Sequence, residues 1–194
     1  MKLNRKGFTL IELLAVITIL GILMIVGIPA VQRTINNSRK DTFVDTAKEY
    51  ANAVKTAWAA DDIKCKVGDA TDYTSVSSSL GTGEYFVYFA SGAAAGNFSA
   101  LSESAAQTNK DALLQSGGKS SWGNADVGGY VKVKVEGSKN PVYTVQMVDL
   151  KGHGFENEMN SDTVERSDVK ENITFAMGTA SEGAVTGTCK VTSD

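Results

Sequence analysis

The sequence predicts an α+β protein in which one long N-terminal α-helix is followed by a head built on an antiparallel β-sheet. Three patterns support this fold class. A long apolar segment near the N-terminus runs into a stretch whose apolar residues recur with helical spacing, and the second half of the chain contains two runs that alternate apolar and polar residues. The first two patterns are typical of a helix, and the alternating runs are typical of β-strands.

The apolar segment extends from Leu13 to Gln32, 20 residues without Lys, Arg, Asp or Glu. As a helix it would span roughly 30 Å, the thickness of the hydrocarbon core of a bilayer. The segment therefore predicts a single membrane span. Pro29 lies near its end and cannot donate a helical hydrogen bond, so we expect the helix to weaken or bend there.

Charged residues precede this segment. Met1 to Gly7 contains Lys2, Arg5 and Lys6 and no acid, which predicts that this end stays in the cytoplasm while the rest of the chain crosses. Glu12 lies at the very start of the apolar segment. A carboxylate at that place costs about 3 kcal/mol in lipid unless it is paired, so Glu12 requires a partner.

The run Gly7-Phe8-Thr9-Leu10-Ile11-Glu12 resembles the processing site of type IV prepilins and of the pseudopilins of type II secretion and competence systems. The resemblance implies that a membrane peptidase cleaves after Gly7 and N-methylates Phe8, and that Glu12 is the glutamate at the fifth position of the mature chain. Pro29 also matches a helix-weakening proline common in that family. The similarity covers Lys6 to about Pro29.

If the chain is processed as the resemblance implies, electrostatics gives Glu12 a role in assembly. After cleavage Phe8 carries a free amine, which keeps its positive charge when methylated, and in a bundle of identical helices that amine can pair with Glu12 of a neighbouring subunit. The alternative is a simple signal anchor whose glutamate lies at the membrane interface.

The resemblance implies a structural subunit that polymerises with itself and is not an enzyme. The moderately large and loop-rich head favours the subunit of an extracellular type IV pilus over a secretion pseudopilin. The implied partners are prepilin peptidase, the pilus assembly platform and a separate ATPase, and the implied location is the inner membrane before assembly and the cell surface afterwards. Adhesion, motility, biofilm formation or DNA uptake would be the roles of such a filament. Two alternatives remain open, a secretion or competence pseudopilin and a membrane-anchored adhesive or binding head.

The same reasoning divides the chain into four segments: a leader of residues 1–7, a transmembrane and polymerisation helix of residues 8–30, an amphipathic half-helix of residues 31–61 and a head of residues 62–194. Apolar residues recur with helical spacing through the third segment at Val31, Ile35, Phe43, Ala47, Ala51, Val54 and Trp58. We therefore expect this half to lie partly against the head. One helix from Phe8 to about Ala60 would measure roughly 80 Å, and Asp61 and Asp62 are expected to end it.

Local patterns predict the elements of the head. We expect strands at 84–90, 130–135 and 142–148, with the last two joined by a turn at 136–141. Less regular patterns predict a helix at 102–115, strands at 172–176 and 187–191, and a connecting loop at 65–83. The aromatic residues of the first strand are expected in the core; they are Tyr85, Phe86, Tyr88 and Phe89.

Cys65 and Cys189 are the only cysteines in the chain. A head outside the cytoplasm is in a compartment where disulfides persist. We therefore expect one bridge between Cys65 and Cys189, joining the region after the helix to the last strand.

Little in the head indicates a chemical site. The formal net charge of −3 becomes −6 once the three leader cations are removed, which argues against a surface that binds nucleic acid in general. No catalytic residue and no cofactor is predicted. Weak candidates for calcium ligands are Asp149, Glu156, Glu158 and Asp162, whose spacing fits no EF-hand and whose expected role is in a solvated loop. His153, the only histidine, is expected in a solvent-exposed loop.

Overall fold

The structure is a computed structural model that describes residues 9–90, 109, 113, 119–137 and 140–192. The chain divides into two compact units, Met1–Ser38 and Arg39–Asp194. The first unit is helical throughout its described part apart from Thr9. The second unit contains the rest of the helix and all the strands.

The N-terminal helix, α1, spans Leu10–Ala59 and continues through Pro29 without interruption. The sequence placed its ends within two residues of these bounds. After the helix, Asp61 adopts a positive φ of 60°, a conformation that Asp and Asn tolerate better than most residues and that ends helices. The prediction that the helix ends at Asp61 and Asp62 is confirmed.

Nine strands form one sheet among the described residues. They are β1 Ile63–Val67, β2 Ser75–Val76, β3 Gly83–Ala90, β4 Val127–Val135, β5 Val142–Asp149, β6 Gly154–Phe155, β7 Met159–Asn160, β8 Val169–Lys170 and β9 Thr186–Val191. The order is β2-β1-β9-β3-β4-β5-β6-β8, with β7 paired to β5 beside this path. The fold is therefore α+β with a β-sheet head, as the sequence predicts.

One strand pair departs from the antiparallel expectation. Strand β9 lies between β1 and β3, antiparallel to β1 and parallel to β3, with Cys189 opposite Cys65 and Val87. The last strand, β9, thus inserts between two strands, β1 and β3, that both lie about 100 or more residues before it in the sequence. Hairpin patterns give only antiparallel neighbours, so this arrangement could not be read from them.

The strongest strand predictions are confirmed. The β4–β5 hairpin holds the two alternating runs, with Val131 opposite Val145, and β3 and β9 lie where strands were expected. Two weaker predictions are wrong. The expected loop at 65–83 contains β1 and β2, and the expected strand at 172–176 has no strand structure. The predicted helix at 102–115 lies outside the described residues except for Asn109 and Leu113, both of which are helical.

Both faces of the central strands are covered. On one face α1 packs through residues spaced three and four apart, which are Phe43, Val44, Ala47, Tyr50, Ala51, Val54, Ala57 and Trp58. Tyr85, Val87 and Phe89 of β3 point to this face, whereas Phe86 and Tyr88 point to the other, where Tyr130, Phe175 and Ala180 meet them. The four aromatic residues of β3 are therefore core, as predicted. Val31 and Ile35, expected to lie against the head, are 58% and 45% exposed, and the buried stripe begins at Phe43.

Candidate assembly surface

The first unit presents a predominantly apolar surface from Leu13 to Val31. Every residue from Thr9 to Ser38 is exposed, and an 18-residue window of α1 has a mean hydropathy of 2.7 with none of it buried. Among the described residues, α1 is the one helix long and apolar enough to cross a membrane. Exposed apolar area of this extent marks a surface that lipid or protein covers.

A shallow apolar groove runs along this surface near the middle of the segment. Gly27 lies on the groove, and nothing in the described chain lies within 4 Å of a Cβ placed on it. The other residues along the groove are Leu20, Leu23, Met24, Ile28, Val31 and Gln32. Small residues at helix surfaces allow another helix to approach closely, so this stripe is suited to helix packing.

Glu12 is tied to the beginning of the helix. Its carboxylate accepts hydrogen bonds from the backbone N–H of Thr9 at 2.8 Å and from the Thr9 hydroxyl at 2.9 Å, and the Glu12 N–H donates to the Thr9 hydroxyl oxygen at 3.4 Å. This reciprocal pair is a capping box, with Thr9 as N-cap and Glu12 at N3. Thr9-Leu-Ile-Glu12 followed by an apolar run is the sequence signature of such a box, so this contact could have been predicted from the sequence.

The capping box leaves room for a second partner of Glu12. Both hydrogen bonds that the Glu12 carboxylate accepts from Thr9 use one oxygen, Oε2, and a carboxylate has about four acceptor positions. Glu12 can therefore cap its own helix and still accept a cation from another chain. Gly7 and Phe8, the expected cleavage and methylation positions, lie outside the described residues.

The predicted disulfide is present. Cys65 and Cys189 are bonded, with their Cα atoms 4.0 Å apart and a sequence separation of 124. They are directly opposite on the antiparallel strands β1 and β9, and both are fully buried. The bridge therefore fastens the first strand after the helix to the last strand of the chain.

The four calcium candidates do not form one site. Asp149 is buried and accepts hydrogen bonds from the Ser120 hydroxyl at 2.6 Å and from the backbone N–H groups of Lys151 and His153 at 2.8 and 2.9 Å. Asp162 pairs with Lys55 at 2.5 Å, and this pairing lowers the pKa of the Asp162 carboxyl. No group of three potential metal ligands occurs in the described ranges.

Glu158, another of the calcium candidates, belongs to a polar cluster on the outer face of the sheet. It pairs with Lys132, accepts a hydrogen bond from the Tyr130 hydroxyl at 2.8 Å and another from Thr144 at 3.4 Å. Burial, followed by this hydrogen bond and the charge of Glu158, raises the pKa of the Tyr130 phenol. Glu156 is exposed, so its surroundings differ from those of Glu158.

His153 is not the exposed loop residue that the sequence suggested. Its side chain is 17% exposed, its Nδ1 lies 3.1 Å from Asp149 Oδ2, and its ring stacks on Trp122 with centroids 4.3 Å apart. The Ser120 hydroxyl bonds Asp149 and not the imidazole, so the three residues do not have the order of a nucleophile activated by a base. Their arrangement holds the turn after β5 against the core.

One comparison with known proteins finds a match at the N-terminus. The family model described as the prokaryotic N-terminal methylation motif matches residues 2–28. The chain carries this methylation motif. The motif identifies the N-terminus as a type IV pilin-like class III signal peptide and supports a pilin-like or pseudopilin-like protein. No curated protein and no solved structure matches the chain.

The methylation motif also accounts for the main features of the first unit. It covers Glu12, the capping box and the apolar surface up to Ile28. It points to a structural subunit more than to an enzyme, and it implies processing by prepilin peptidase. The head lies outside the matched residues, so the motif carries no information about the role of the head.

Proposed function

We propose that this chain is the structural subunit of a type IV pilus, and that it polymerises through its N-terminal helix after prepilin peptidase cleaves between Gly7 and Phe8 and methylates Phe8. The single observation that carries the proposal is the combination of a methylation motif with Glu12 at the start of the exposed and uncharged helical segment 13–32. Capping gives that carboxylate a role in any helix, but a charge in lipid remains costly unless a cation pairs with it, and assembly with a neighbouring subunit would supply that cation.

The geometry of the N-terminus supports the proposed assembly step. The Phe8 amine created by cleavage would be a cation, and Glu12 has free acceptor positions beside those used by Thr9. Bringing the amine of one subunit to Glu12 of the next neutralises both charges within an apolar bundle. The pairing would fix the axial position of each subunit. Before assembly the same helix would hold the subunit in the inner membrane, with the head on the outer side.

Mass spectrometry of the subunit recovered from surface filaments tests this proposal. We expect filaments in the electron microscope, and we expect the subunit sheared from them to begin at N-methylated Phe8. Gly7→Val should accumulate as uncleaved membrane protein. A matched control is Gly21→Val, a glycine with open space around its Cβ position, which should be cleaved normally.

Other results would contradict the pilus assignment. Subunit that begins at Met1 in filaments would mean that no leader is removed. Processed subunit that stays in the membrane, without filaments at native expression, would favour a secretion or competence pseudopilin. Normal surface display of the head with no effect of Glu12 substitution would favour an anchored binding head.

A further inference from the structure

Strands β1 and β9 carry three lysines on the face of the sheet away from α1. In β1, Ile63 and Cys65 are buried towards the helix and Lys64 and Lys66 alternate with them; in β9, Lys190 lies between the buried Cys189 and Val191. Lys64 and Lys190 are directly opposite each other across the two strands. We call Lys64, Lys66 and Lys190 the basic edge surface.

Like charges at directly opposite positions in an antiparallel pair destabilise it. No acidic side chain in the described ranges forms an ion pair with any of these three lysines. Their shared contact is aromatic, since the Tyr73 ring centroid lies 5.3 Å from Lys66 Nζ and 5.1 Å from Lys190 Nζ. The described part of the subunit thus concentrates positive charge at this place and pairs none of these lysines with an acid.

The far edge of the same sheet carries an excess of acids, with Lys170 among them and Arg166 paired to Asp41. Glu156 follows β6 and Glu171 follows β8, both are exposed, and neither forms an ion pair in the part of the chain that the structure describes. Two further acids, Glu165 and Asp168, lie between β7 and β8 and cap one turn of 3₁₀-helix reciprocally. We call Glu156, Glu165, Asp168 and Glu171 the acidic edge surface.

These two surfaces cannot meet within one subunit. Strand β9 is separated from β6 by four strand spacings, which at about 4.8 Å each is roughly 19 Å, and β1 is farther still from β8. A second copy placed beside the first can bring them together. A contact between two different surfaces of identical subunits is heterologous, and repetition of such a contact builds an open helical polymer when the rotation between neighbours does not close into a ring.

We propose that the basic edge surface of one head binds the acidic edge surface of a neighbouring head, so that Lys64, Lys66 and Lys190 find their counter-charges in a second copy of this chain. The inference rests on the proposed function, since it concerns the lateral contact within the filament. It adds a specific head-to-head contact to the packing of the N-terminal helices. The charge pattern also fixes which surfaces of two neighbouring heads meet, because two basic surfaces repel each other and so do two acidic surfaces.

Zero-length carbodiimide cross-linking of intact filaments tests the contact, because this reagent joins only lysines and carboxylates that touch. We expect cross-linked peptides joining Lys64, Lys66 or Lys190 to Glu156 or Glu171. The distance within one subunit means that each such link reports two copies. Cross-links from these lysines to a different protein, or none to the acidic edge surface in wild-type filaments, would overturn the proposal.

A charge-swap experiment provides the second measurement. The triple variant Lys64→Glu, Lys66→Glu, Lys190→Glu should lower filament yield about tenfold, because like charges would then face each other across the contact. Adding Glu156→Lys and Glu171→Lys should restore most of the yield, which a misfolded head could not do. Lys151→Glu, at an exposed lysine outside both surfaces, changes the charge equally per residue and should leave the yield unchanged.

The outcomes separate this inference from the pilus assignment. Wild-type cells without filaments would contradict the proposed function itself. Two results would overturn the proposed head-to-head contact and leave the proposed function standing. One is a normal filament yield from the triple variant. The other is failure of Glu156→Lys and Glu171→Lys to restore the yield of that variant.

Discussion

Thr9 and Glu12 cap the same helix terminus from both sides, with the Thr9 N–H donating to the Glu12 carboxylate at 2.8 Å and the Glu12 N–H donating to the Thr9 hydroxyl oxygen at 3.4 Å. The glutamate therefore has a role inside its own subunit as well as the role proposed for it in the filament. The two roles differ in their dependence on Thr9, and this difference makes them separable by mutation.

Glu12→Leu should abolish filaments without preventing synthesis, membrane insertion or cleavage. Removing one member of a buried charge pair leaves the other uncompensated at a cost of about 3 to 5 kcal/mol, and Glu12 lies in a different compact unit from the sheet. Glu12→Gln should be intermediate at best. The measurement is filament yield in sheared fractions beside the total amount of membrane-bound subunit.

Thr9→Val is the matched control for that experiment. It removes the hydroxyl of the capping box, a loss of about 1 kcal/mol at the helix terminus, and keeps the Glu12 carboxylate. We expect near-normal filament yield from this variant. A defect as severe as that of Glu12→Leu would show that capping, and not pairing with a neighbouring amine, explains the glutamate.

The bridge between Cys65 and Cys189 should contribute strongly to the stability of the head. Closing a loop of this length stabilises a folded chain by about 4 to 5 kcal/mol in the chain-entropy model. Replacing both cysteines by alanine should therefore lower the melting temperature of the full-length protein in detergent. Thiol labelling gives an independent check, because two reactive thiols in folded and unreduced protein would mean that the bridge is absent.

Asn109 should be one of the least replaceable polar residues in the head. It is fully buried, its amide donates to the carbonyls of Tyr88 and Cys189 at 2.7 and 3.2 Å, and its side-chain oxygen accepts from the Val191 N–H at 2.7 Å. Asn109→Leu leaves these backbone groups without partners and should lower the free energy of unfolding by about 3 kcal/mol or more.

Asn52→Leu, at an exposed position of α1, is the control for the Asn109 experiment and should change the free energy of unfolding by less than about 0.5 kcal/mol. Chemical denaturation of both variants measures these changes in the free energy of unfolding. Equal stability of the two would show that water satisfies the strand carbonyls when Asn109 is removed.

Glu84 should make the stability of the head sensitive to acid. Burial alone would raise the pKa of its carboxyl, but the Ser181 N–H and hydroxyl, at 2.7 and 2.8 Å, together with the charges of Lys132 and Lys134, lower that pKa below its usual value of 4.5. A lowered pKa in the folded state stabilises the protein above pH 4.5, and this contribution is lost as the pH falls through the folded-state pKa.

Glu84→Gln is therefore expected to be less stable than the wild type at pH 7, with the difference shrinking below pH 4.5. Denaturant midpoints measured across that range give the comparison. Glu156→Gln, an exposed acid, should show no such convergence. A constant difference between Glu84→Gln and the wild type at all pH values would mean that the lost charge is not the cause.

The sequence alone determined the features that depend on local pattern. The uncharged run after Glu12 predicts the long helix, the alternation in β4 and β5 predicts the hairpin, and Asp61 with Asp62 predicts the helix end, because each depends on residues close together in the chain. The capping box of Thr9 and Glu12 was equally local, and its signature was present but overlooked.

Only the tertiary structure decided the features that join distant residues. The two cysteines suggest a bridge, but the fold alone shows that β9 inserts beside β1 so that Cys65 and Cys189 lie opposite each other. The same insertion sets Lys64 against Lys190 and creates the basic edge surface. It also buries Asn109 at the carbonyls of Tyr88 and Cys189. Strand order and register arise from the burial of side chains contributed by the whole chain, and no local pattern contains that information.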